Sequence, residues 1–95
     1  MHNNYEVFYD ELIGMTHIAK HNVSLEEVDE LLSSEDFLLE TRKDKSYVAY
    51  KAISSGRFLA VVFRKKSLRN FFIITAYDID DNFMKKGMED YEDKN

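Results

Sequence analysis

Apolar residues recur at helical spacing in the first third of the chain and at every second position after Ser33 and Ser34. Residues 9–21 predict a first helix, with Leu12, Met15 and Ile18 three apart on one face, Ala19 beside them, and Asp10 and Glu11 at the favourable N-terminal end. Gly14 weakens this helix by about 1 kcal/mol relative to alanine. The second helix has a sharper start, because Ser24 followed by Glu27 is a capping box and Val23 with Val28 supplies the matching hydrophobic staple. Val28, Leu31 and Leu32 form its buried face. Asn22 lies between the two, which form either a helical hairpin or one bent helix broken at residues 21–23. A short extra strand before Tyr9 is compatible with the pattern.

The period-two region predicts strands at 37–42, 46–53, 57–64 and 69–76. Lys43-Asp44-Lys45, Ser54-Ser55-Gly56 and residues 65–68 are hairpin-sized connections, so the strands form an antiparallel meander. Leu59 to Phe63 and Phe71 to Ile74 are apolar on both faces, which marks the last two strands as central and covered on both sides. The helices cover one face, and a C-terminal helix, a partner chain or both must cover the other. An isolated monomer is expected to expose an apolar patch there and to tend to form a homodimer. The C-terminal helix is expected at 80–91, capped from Asp78, Asp80 or Asp81, with Met84, Met88 and Tyr91 on one side; the acidic tail at 92–95 frays. The expected fold is thus a single α+β domain over residues 1–95, with two N-terminal helices, a four-stranded antiparallel meander sheet and a C-terminal helix.

Charge sharpens this picture. Residues 42–69 hold nine Lys or Arg against one acid, Asp44, a net of +8, while the remainder carries −13. Such a split suggests an electropositive sheet beside acidic helices, and a basic stripe attracts polyanions better than the overall charge of −5 implies. Basic residues on strands also serve as a plain solvated face or as edge protection. With no cysteine, disulfides, thiolate metal sites and a cysteine nucleophile are excluded. The first ten residues lack a basic start followed by an apolar run, and no apolar stretch reaches the roughly 18 residues that span a bilayer, so a cytoplasmic protein without membrane contact is expected.

Three segments carry a resemblance. Ile18-Ala19-Lys20-His21-Asn22-Val23-Ser24-Leu25-Glu26-Glu27-Val28 is similar to the KHxVSxEEV segment of BrnT-like toxins, which belong to the RelE-type toxin-antitoxin superfamily. Gly56-Arg57-Phe58-Leu59-Ala60-Val61-Val62-Phe63 resembles that family's GRxLxVVF strand, and Phe72-Ile73-Ile74-Thr75-Ala76 resembles the strand ending in I(S/T)AR. The resemblance covers roughly residues 11–91 and implies a RelE-like fold and the toxin component of a bacterial type II toxin-antitoxin system. It further implies a metal-independent ribonuclease that cleaves mRNA, neutralisation by a cognate antitoxin protein, and no cofactor.

Metal-free RNA cleavage needs a base for the 2′-hydroxyl, cations for the crowded phosphate and an acid for the leaving oxygen. The resemblance points to Arg57, Arg64 and Arg69 as the phosphate-binding catalytic residues, with Lys65 and Lys66 in the turn and Lys85 and Lys86 on the last helix contacting RNA. Arginine suits phosphate because its planar fork donates two hydrogen bonds at once. His21 matches the family's histidine and has the pKa range for proton transfer, although a histidine at a helix end also caps the last carbonyls. Tyr91 matches a terminal tyrosine that either stacks on a base or packs on the sheet. At Tyr77 the chain departs from the family, which predicts arginine there; a phenol stacks and donates but does not neutralise phosphate. His17 and His21 have metal-ligand spacing without further ligands nearby, so no metal site is expected. Two rival readings follow: a RelE-fold binding module, weak or inactive as a nuclease, that keeps antitoxin binding or self-association, and an unrelated interaction protein whose basic residues are scattered over both sheet faces.

Overall fold

The computed structural model describes residues 3–79. Strand makes up 48% of these residues and helix 17%, so the sheet dominates. The elements are β1 (Asn4–Val7), β2 (Tyr9–Asp10), β3 (Met15–Thr16), α1 (His17–Lys20), α2 (Leu25–Ser33), β4 (Leu38–Thr41), β5 (Tyr47–Ala52), β6 (Phe58–Ser67) and β7 (Asn70–Asp78). Five strands form one mixed sheet in the order β1-β7-β6-β5-β4, with β1 parallel to β7 and the other neighbours antiparallel.

This architecture corrects the expected RelE-like layout of two N-terminal helices, four strands and a C-terminal helix. The first helix is absent over most of its span. Residues 9–16 instead fold into the β2–β3 hairpin, pairing Tyr9 with Thr16 and Asp10 with Met15. Gly14, at φ +70°, takes the left-handed conformation that glycine adopts at least cost, and its amide donates to the Asp10 carbonyl at 2.9 Å. The Asp10 carboxylate also accepts from the Leu12 amide. The helical spacing of Leu12, Met15 and Ile18 was therefore misleading: Leu12 is 97% exposed, Met15 is exposed, and only Ile18 is buried. A helix begins only at His17, where the Thr16 hydroxyl accepts from the Ala19 amide. The expected C-terminal helix at 80–91, with Tyr91, Lys85 and Lys86, lies outside the described residues.

Strong local signals behave as their chemistry demands. Both halves of the Ser24–Glu27 capping box form, and Val28, Leu31 and Leu32 turn inward. They pack with Ile18 and Val23 against Ala49, Leu59, Val61, Phe63, Phe71, Ile73 and Ala76 on one face of the sheet. Each fully buried Leu, Ile or Val contributes about 2 kcal/mol by leaving water. Val48, Ala60 and Val62 point to the opposite face, with Tyr50, Ile74, Tyr77 and Ile79 around them. These second-face residues of the central strands are buried rather than forming the exposed apolar patch anticipated there. Among the described residues, no helix is long and apolar enough to cross a membrane.

Candidate functional site

The short helix α1 ends in a Schellman motif. Asn22, at φ 59°, sends its amide to the Ala19 carbonyl, while the Val23 amide bonds the Ile18 carbonyl. The turn leaves the His21 and Asn22 carbonyls pointing away from the helix. Arg57, which enters β6 from the β5–β6 turn, meets them: its Nη2 donates to the His21 carbonyl at 3.2 Å and its Nη1 to the Asn22 carbonyl at 2.9 Å.

Two carboxylates complete the cluster. Nη1 also donates to Glu27 of the capping box at 2.9 Å, and Nε and Nη2 form a two-pronged bond with Asp78 at the end of β7. A guanidinium has five N–H groups. All five are now engaged: one on Nε, two on Nη1 and two on Nη2. The pairing holds Asp78 below the usual carboxylate range and raises the Arg57 pKa, mainly through the Asp78 bond and then Glu27. Glu27 is also held low, first by the Ser24 amide and then by Arg57. One cation facing two carboxylates, with no N–H to spare, is a fastening between the helical layer and the sheet and offers nothing to a phosphate.

Three of the residues assigned to chemistry do come together. The His21 ring stands edge-on to Tyr77, with centroids 6.2 Å apart, and the His21 carbonyl is bound by Arg57. His21 is exposed and Tyr77 half-buried, so the pair borders solvent. Arg64 and Arg69 stand elsewhere. Arg64 follows Phe63, which packs on the helical side, so strand alternation turns it to the opposite face, where it donates to the Asp44 carbonyl at 3.0 Å. Arg69 lies in the β6–β7 turn, and its carbonyl accepts from the Asn4 amide. Lys65 sits over the Phe71 ring at 5.9 Å, and Lys66 bonds Glu6 at 2.9 Å. The basic residues are thus spread over both faces and do not form the expected stripe.

The sequence pattern did not mark Glu27 as an ion-pair partner and offered Asp78 as a candidate cap of the C-terminal helix rather than as a partner of Arg57. The observed register places Asp78 opposite Leu59, two residues past Arg57, whereas the connection expected at 65–68 sets it opposite Ser55, so the strand pattern did not bring the two together. Elsewhere, Asp10 and His17 bond at 3.0 Å and tie the β2–β3 hairpin to α1. Tyr5 donates to Asp29, and burial followed by that bond pushes its pKa up to about 12. Its shallow groove, shared with Asn3, Leu25 and Glu26, is acidic and disfavours anions. Among the described residues, no group of three or more His, Asp or Glu is placed to hold a metal ion. No protein-family model, curated protein or solved structure matches this chain.

Proposed function

We propose that this chain is the toxin-side member of a bacterial type II toxin-antitoxin pair, acting in the cytoplasm by protein contact with its cognate antitoxin rather than by cutting RNA. One observation carries the reading. The segments that resemble BrnT-like toxins converge on Arg57: Glu27 and the His21 and Asn22 carbonyls come from the first, Arg57 from the second, and Asp78 lies two residues past Ala76, where the third ends. That convergence supports the kinship, and the filled guanidinium supports binding over phosphate chemistry. The spread of cations over both faces also counts against phosphate chemistry, and it fits an interaction protein unrelated to those toxins as well as it fits an antitoxin-binding one. A nuclease concentrates positive charge where the scissile phosphate sits, and here Arg64, Lys66 and Arg57 each answer a neighbouring acid.

A second reading, a metal-independent mRNA-cleaving ribonuclease, is favoured by the contact of His21 with Tyr77 at the solvent border. An imidazole and a phenol side by side supply a proton acceptor and a donor. Induced expression followed by inspection of total mRNA separates the two, with His21→Ala and Tyr77→Phe as controls. Intact mRNA, together with a stable complex between this protein and the purified product of the adjacent gene, is the expected result. Transcript cleavage that His21→Ala abolishes would establish the nuclease and overturn the binding reading.

A further inference from the structure

Strand β4 closes one end of the sheet. It pairs with β5 on one side, no described strand lies on its other side, and all four of its residues are exposed, Leu38 at 46% and Leu39 at 53%. An edge bearing two exposed leucines, without the proline or lysine that commonly blunts one, is a template for another strand. The hydrogen-bond pattern fixes which groups are on offer. The Arg42 amide donates to the Ser46 carbonyl at 2.8 Å, just beyond the Thr41–Tyr47 pair. Hydrogen-bonded pairs alternate along an antiparallel ladder, so Leu38, Glu40 and Arg42 turn their backbone groups to β5. Leu39 and Thr41 turn theirs outward.

The flanking charges are self-complementary. Glu35 and Asp36 precede β4, and Arg42 and Lys43 follow it, all exposed. We propose that a second copy of this chain adds at β4, antiparallel, with Leu39 on the twofold axis, joining two five-stranded sheets into one. In that register Leu39 faces Leu39 of the second copy, Thr41 faces Phe37, and Asp36 faces Arg42 at both ends. The outward amides oppose outward carbonyls, as an antiparallel pair requires. Moving the axis to Leu38 sets Asp36 against Glu40, and moving it to Glu40 sets Glu40 against itself and Asp36 against Asp44. Both alternatives oppose like charges, which are destabilising when directly opposite. Asp36 already bonds Lys51 within its own chain, yet its side chain is 73% exposed and keeps acceptor capacity for an arginine.

The test is the mass of the full chain by sedimentation equilibrium over roughly 1–500 µM. The wild type is expected to dimerise. Arg42→Glu places like charges opposite Asp36 twice per dimer and should weaken association about fivefold or more, and Arg42→Glu with Asp36→Lys should restore it. Leu39→Lys, with folding checked by circular dichroism, should abolish it. A wild type that stays monomeric overturns the proposal, as does a dimer indifferent to Arg42→Glu and Leu39→Lys; weakening without rescue overturns the register. Because no second protein is present in this assay, its failure leaves the antitoxin reading untouched.

Discussion

Arg57, just before β6, and Arg64, within it, are roughly 23 Å apart at strand rise and meet different surroundings. Arg57 points into the seam between helices and sheet, where its side chain is 21% exposed and every N–H is taken by Glu27, Asp78 or a carbonyl at the end of α1. Arg64 lies on the other face with its side chain 47% exposed, touching only the Asp44 turn among the described residues. Residue type is the same, but burial and partner count differ. A guanidinium becomes a structural fastening when the chain delivers acceptors to all its donors in a partly dry place, and remains a surface charge when it does not.

The largest effect should come from removing the fastening. Arg57→Ala leaves Glu27 and Asp78 facing each other without their shared cation and frees the His21 and Asn22 carbonyls. A fully buried pair broken in this way costs 3–5 kcal/mol, and partial exposure reduces the expected loss to about 2 kcal/mol. In a domain of this size that is a fall in Tm of about 10 °C or more, measurable by thermal melting. Arg57→Lys should recover little, since an ammonium does not span both carboxylates and the two carbonyls.

The same contrast explains which features were legible in the sequence. The α2 start was readable because Ser24, Glu27, Val23 and Val28 act within one turn, where local geometry decides. The four strands from β4 to β7 were readable because alternation and short turns are also local. The helix expected at 9–21 was not, because its period rested on Leu12 and Met15, while Gly14 and the Asp10 carboxylate favoured a hairpin tip. The short strand before Tyr9 that the pattern allowed is β1, but its place in the sheet was not legible, because its parallel pairing with β7 joins residues more than sixty apart. At the site, the resemblance directed attention to His21, Arg57 and Tyr77, and these do cluster. The role of Arg57 was hidden, because it depends on Glu27 and Asp78 arriving from two other elements.

Acid should expose the same fastening more gently. Asp78 and Glu27 have folded pKa values below their ordinary 3.8 and 4.5. A depressed carboxylate contributes stability that is fully present above its unfolded pKa and is lost as pH falls through its folded value. The wild-type Tm is therefore expected to be level between about pH 7 and 5.5 and to decline below about pH 4.5. In Arg57→Ala the carboxylates lose the cation that lowers them, so the decline should be shallower. Parallel acid profiles for the two proteins would contradict the assignment of Arg57 as the cause.

The smallest effect belongs to Arg64. Its ion pair with Asp44 is 3.5 Å long, and both side chains are about half exposed. Asp44 keeps its main anchors without Arg64, because the Ser46 hydroxyl and amide hold its carboxylate and are the leading reasons its pKa is lowered. Exposed pairs of this kind contribute about 0–1 kcal/mol. Arg64→Ala should accordingly change the unfolding free energy by less than about 0.5 kcal/mol in a urea titration. A loss as large as that of Arg57→Ala would mean that Arg64 is held by more than the Asp44 turn, and the two arginines would no longer differ as their surroundings require.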